Sequence, residues 1–110
     1  MALKIWMNTG LVDQSEAKVS VFDSVVQGGD AVWEGLRLYG GRIFKLREHL
    51  ARLRGSALAL AFPEIPGDET IIGEIRRTLE ANRMTDAVHI RLTLTRGVKI
   101  TSGMDPRLNQ

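Results

Sequence analysis

Across residues 31–96 the spacing of apolar side chains changes twice, from alternation to the period of a helix and back to alternation, and few folds accommodate that order. Over residues 31–39, Val32, Glu34, Leu36 and Leu38 fall on one face of an extended strand, and Trp33, Gly35, Arg37 and Tyr39 on the other. Gly40-Gly41 then turns the chain into Arg42-Ile43-Phe44-Lys45, which predicts a hairpin. From Leu46 the positions Leu46, Leu50, Leu53, Ala57 and Leu60 recur at steps of four and three, predicting a helix that runs down to a stop at Phe62-Pro63. A second helix is expected from a cap at Asp68 or Thr70, with a buried stripe of Ile71 or Ile72, Ile75 and Leu79 and an end near Asn82. Residues 86–96 return to alternation: Val88, Ile90, Leu92 and Leu94 face a core, while His89, Arg91, Thr93 and Thr95 face away from it. Strands, two helices and a further strand predict an α+β domain with a mostly antiparallel sheet and the two helices packed on one side.

The flanks carry less pattern. Asn8-Thr9-Gly10 between two short apolar runs predicts a hairpin at a sheet edge. Residues 15–30 alternate briefly at Val19 and Val21 before Gly28-Gly29, and read as strand followed by turn. Residues 97–110 hold Gly97, Gly103 and Pro106 without a period, and read as loop.

Composition then removes several function classes. A chain of 110 residues fits one domain and leaves no room for a second full one. Without cysteine there is neither a disulfide framework nor a thiolate metal site, which suits a reducing cytoplasm. Two histidines, His49 and His89, are too few for a metal cage. No stretch approaches the ~18 apolar residues of a membrane span, and the apolar part of MALKIWMNTG is too short for a signal peptide, so no membrane partner is expected. The net charge of +2 comes from 15 basic and 13 acidic residues interleaved as in EIRRTLEANR, with no basic and aromatic cluster, which argues against nucleic acid as a partner. Arginine dominates the cations, and its planar fork suits phosphates and carboxylates.

Arg37 and Arg91 each stand on the strand face opposite the apolar residues, Arg37 beside Trp33 and Gly35, Arg91 beside His89 and Thr93. A glycine inside a strand gives up packing, so Gly35 points to a close approach by a ligand or another backbone. Alternation alone fits a solvated sheet face with ordinary surface arginines at least as well. His49 and Arg52 lie three apart on one helix face, from which Arg52 can reach over the sheet edge toward a phosphate; a rim of mixed charge with Arg47, Glu48 and Arg54 explains the pair equally. Gly28-Gly29 reads as a cradle for a ligand or as a plain turn.

The stretches IWMNTGLV, EAKVSVFDSVVQGGDAVWEGLRLYGGRIFKLREHLARL and HIRLTLTRG decide between these readings. Over residues 5–108 the sequence resembles the start of branched-chain aminotransferases and their relatives among the fold-type IV (class IV) enzymes that depend on pyridoxal 5'-phosphate. WEGLRLY and REHLARL at this separation are specific to the group. The resemblance implies that Arg52 is a ligand of the cofactor phosphate, that Trp33, Gly35 and Arg37 line the substrate side of the pocket, and that Arg91 lies near the substrate carboxylate. His89 stands on the same substrate side, where many branched-chain enzymes have a tyrosine, and Gly28 stands where a pocket tyrosine often occurs. The implied activity is transfer of an amino group between an amino acid, of the branched-chain type, and a 2-oxo acid. D-amino acid transamination and aminodeoxychorismate cleavage are the alternatives within the family, and a stand-alone module binding a phosphate or carboxylate without chemistry is the alternative outside it.

In such enzymes the lysine that bonds the cofactor belongs to a larger C-terminal domain, and Lys4, Lys18, Lys45 and Lys99 do not match its motif. The expected organisation is therefore a small N-terminal domain over residues 1–96 and a loop over 97–110 toward a C-terminal domain that this chain does not carry. Alone the chain is expected to be inactive, the resemblance implies a homo-oligomer, and the three guanidinium groups of Arg37, Arg52 and Arg91 are expected to converge on the anionic ends of a pyridoxal 5'-phosphate adduct.

Overall fold

The computed structural model describes residues 3–8 and 10–98. Its order is β1 (Lys4–Met7), β2 (Gly10–Asp13), α1 (Ser24–Gly28), β3 (Ala31–Tyr39), β4 (Arg42–Ile43), α2 (Leu46–Ala59), α3 (Asp68–Ala81) and β5 (Val88–Thr95). β3 is the middle strand of an antiparallel sheet ordered β4-β3-β5, paired with β5 from Ala31 opposite Thr95 to Leu38 opposite Val88. Because both strands alternate with period two, this register stacks their apolar residues on one face. Val32 and Leu36 are buried there, with Ile90, Leu92 and Leu94 half-buried against them. Leu50, Leu53 and Ala57 of α2, Ile71, Ile72 and Ile75 of α3, and Phe62 from the connecting turn complete a single core. At about 1.5–3 kcal/mol for each large side chain buried, this cluster is the main source of stability. The α+β class and the placement of both helices on one side agree with the expectation from period.

The helix ends differ from expectation in detail. Gly67, not Asp68 or Thr70, is the N-cap of α3 and offers no side-chain acceptor, while Asp68 and Glu69 occupy the first turn, where negative charge suits the helix dipole. Neither helix ends on glycine. The Phe62 N–H donates to the Ala57 carbonyl at 3.0 Å with Ala61 at φ 56°, and the Met84 N–H donates to the Leu79 carbonyl at 3.0 Å with Arg83 at φ 53°. Each is the six-to-one closure usually built around a left-handed glycine. Leu60, expected on the buried stripe, falls past the last turn of α2 and is exposed.

The hairpin β1–β2 is a separate two-stranded sheet and not an edge of the main one. The side chain of Asn82, at the end of α3, accepts from the Lys4 N–H at 2.7 Å and donates to the Lys4 carbonyl at 2.9 Å. It thereby supplies the donor and acceptor that a neighbouring strand would have given. Residues 15–30 form no strand: Val19 and Val21 are exposed, and the segment holds a one-turn helix at Gln14–Glu16 and then α1. The Asp23 carboxylate caps α1 by accepting from the Val25 N–H at 2.9 Å, and Gly29 closes it at φ 67°. Such local capping outcompetes an alternation only two residues long, and it shows Gly28-Gly29 to be a helix stop. Thr9 of the expected turn and residues 99–110 of the expected loop lie outside the described residues.

Arg96 locks the α1 segment to the end of β5. Its side chain, 5% exposed, pairs with Asp30, donates to the carbonyls of Leu60 and Ala61, and lies 4.7 Å from the centroid of the Phe62 ring. Among the described residues no helix is long and apolar enough to cross a membrane.

Candidate functional site

On the face of β3 and β5 that the helices leave open, the register sets Trp33 opposite Thr93, Gly35 opposite Arg91 and Arg37 opposite His89. The Arg91 guanidinium lies 4.3 Å from the centroid of the Trp33 ring, a cation–π contact, and its Nε is 3.4 Å from the Thr93 hydroxyl. Gly35 has a specific job in this arrangement. A Cβ at that position would come within 3.1 Å of His89 Nε2 and 3.5 Å of Trp33 Cζ3, so imidazole and indole close over bare backbone. The close approach at this glycine is made by neighbouring side chains and not by another backbone. Neither Arg37 nor Arg91 forms an ion pair among the described residues, and the two strands place no acidic side chain on this face. Five of the residues expected at a site, Trp33, Gly35, Arg37, His89 and Arg91, therefore share one surface with a positive bias.

Arg52 is elsewhere. Alternation puts Glu34 on the covered face of β3, where its side chain is only 3% exposed, and a carboxylate there must be hydrogen-bonded or neutralised. α2 supplies both partners from positions one turn apart. Arg52 donates from Nε to both carboxylate oxygens, at 3.1 and 2.9 Å, and from Nη2 to Oε1 at 2.7 Å; His49 Nδ1 lies 2.7 Å from Oε1. The hydrogen bonds from Arg52 outweigh desolvation and, with those from His49, hold the Glu34 carboxyl below the usual glutamate value, while the same bond raises the Arg52 guanidinium. The rest of the Arg52 side chain stands 70% exposed. Arg37 and Arg91 share the open face, and Arg52 is held on the helix side by the buried carboxylate.

The sequence carries a signal at Glu34, the single charged residue in an otherwise apolar alternation. Among the described residues no group of histidine and acidic side chains is arranged to hold a metal. Two surface hollows, one lined by Leu38, Arg76, Leu79 and Met84, the other by Phe62, Ile65, Leu94 and Arg96, include none of the six candidate residues. The open face and the free side of Arg52 are exposed surfaces.

The model of the family described as amino-transferase class IV matches residues 31–108. Branched-chain-amino-acid aminotransferase-like protein 2 of Arabidopsis thaliana is 59% identical over 108 residues, which are 98% of this chain and 19% of that protein. A putative branched-chain-amino-acid aminotransferase of Methanocaldococcus jannaschii is 45% identical over 105 residues, 96% of this chain and 36% of that one. Among solved structures, the branched-chain amino acid aminotransferase from Escherichia coli superposes with a TM-score of 0.85 at 30% identity, covering 96% of this chain and 37% of that one. The chain thus spans between about a fifth and a little over a third of the proteins it is similar to.

Proposed function

The chain belongs to the class IV aminotransferase family, and on that premise we propose that it forms the N-terminal part of a branched-chain aminotransferase, which moves an amino group between a branched-chain amino acid and a 2-oxo acid. The observation that carries this reading is the open β3–β5 face, where two guanidinium groups stand beside an indole without a carboxylate partner among the described residues. An amino acid and a 2-oxo acid both bring a carboxylate, and a guanidinium donates to it through two parallel N–H groups. Trp33 adds an apolar wall suited to an aliphatic side chain, and its stacking on Arg91 limits the angles at which that donor can approach. His89 and Gly35 set the depth of the wall, because the imidazole occupies the space a larger residue at position 35 would fill.

Arg52 suits the phosphate of pyridoxal 5'-phosphate: its guanidinium is anchored on one side and open on the other. Bound there, the cofactor would supply the electron sink that lets an amino group migrate. Among the described residues, Lys4 is paired with Asp13 and Lys45 lies over the Phe44 ring, and neither is assigned the covalent bond to the cofactor. We therefore expect residues 1–96 to act as the small domain of a larger cytoplasmic homo-oligomer and the 110-residue chain alone to lack transaminase activity.

The test is a transamination assay of the intact protein with leucine, isoleucine or valine and a 2-oxo acid. Turnover is expected, and Arg37→Ala or Arg91→Ala should raise KM for the amino acid at least about tenfold while cofactor affinity holds. Turnover of D-amino acids with none of the branched-chain L-amino acids would overturn the assignment.

A further inference from the structure

Arg52 has five N–H donors in one plane, and Glu34 engages the Nε hydrogen and one on Nη2, leaving both Nη1 hydrogens and the second Nη2 hydrogen turned away from the carboxylate. The holding group is itself fixed. Glu34 sits on the central strand of the sheet between the buried Val32 and Leu36, its side chain 3% exposed, with a further contact from His49 Nδ1 at 2.7 Å. Nothing else among the described residues pairs with Arg52, whose side chain is 70% exposed, so its free edge faces outward in a single plane. An unheld arginine would have to give up rotamer freedom on meeting an anion; this one has given it up beforehand.

We propose that Glu34 is a positioning residue, whose buried carboxylate clamps one edge of the Arg52 guanidinium so that the other edge is presented ready-made to the phosphate of pyridoxal 5'-phosphate. The proposal rests on the reading of Arg52 as the phosphate ligand given above. Glu34 never touches the ligand; it acts through Arg52, and its effect must vanish when Arg52 or the phosphate is removed.

The experiment compares binding of pyridoxal 5'-phosphate with binding of pyridoxal, which lacks the phosphate, to the intact protein, followed by quenching of tryptophan fluorescence. Glu34→Gln keeps the shape but loses the charge, and should weaken pyridoxal 5'-phosphate binding about tenfold while leaving pyridoxal binding unchanged. Arg52→Lys should do the same, and the double variant should bind no more weakly than Arg52→Lys alone, because both act on one contact. Glu34→Asp, which keeps the charge but withdraws it by one methylene, should fall between wild type and Glu34→Gln, and it answers the question if Glu34→Gln does not fold. Wild-type discrimination between the two ligands in folded Glu34 variants, or losses that add in the double variant, would overturn the positioning role while Arg52 kept its own. Unchanged discrimination in Arg52→Lys would overturn the assignment of Arg52 and the present proposal with it.

Discussion

Burying a carboxylate on the covered face of β3 removes its hydration, and Arg52 and His49 replace that hydration with hydrogen bonds to the charged form. The consequence is a pH dependence of known sign. The folded carboxyl of Glu34 titrates below its ordinary value of 4.5, so the unfolded chain binds the proton more readily. Stability from this pairing is fully present above the ordinary value and is lost as pH falls through the lowered one. We expect the melting temperature of wild type to exceed that of Glu34→Gln at neutral pH, and the gap to narrow in acid below about pH 4.5. A gap that stayed constant down to pH 3 would show that the carboxylate's charge is not what the pairing contributes. On the opposite face the same residue-level logic explains Gly35: it is small because His89 and Trp33 need the space above it. Glycine in a strand was legible in the sequence as a close approach, but which groups approach depends on register with a strand more than fifty residues away.

At the scale of elements, α2 and α3 are fixed by their apolar stripes and finished by their ends. Both close with a non-glycine residue in the left-handed region, which costs roughly 1 kcal/mol relative to a glycine there. Ala61→Gly should therefore stabilise the chain by about 0.5 kcal/mol once the extra freedom of glycine in the unfolded state is counted, an increase read in urea melts. Destabilisation would mean that the Ala61 methyl packs better than its backbone is strained. The helices themselves could be read in advance because a stripe at steps of three and four has no other use. Their ends, and the identity of 15–30 as a capped turn of helix, could not. They are decided by single hydrogen bonds, such as that from the Val25 N–H to Asp23, and by the partner Arg96 finds in Asp30.

Among the described residues the main sheet has one face covered by helices and the other left open, where Trp33 is 53% and Tyr39 56% exposed next to two arginines without an ion-pair partner. An aromatic surface of this kind favours association when nothing else covers it. The 110-residue chain should self-associate as its concentration rises, as seen by size-exclusion chromatography with light scattering, and Trp33→Ser with Tyr39→Ser should shift it toward monomer without loss of helical circular dichroism. A monomer at every concentration would show that the face is tolerated in water. By itself the sequence determined the α+β class, the two stripes, the alternation of β3 and β5 and the side on which Trp33, Gly35, Arg37, His89 and Arg91 fall, because periodicity is a local property that packing preserves. Tertiary structure alone decided that Arg52 pairs with Glu34, that the first hairpin stands apart on Asn82, and that His89 closes over Gly35. Each of those outcomes depends on distances between residues remote in the chain, and a buried charge chooses its partner only after the core has formed around it.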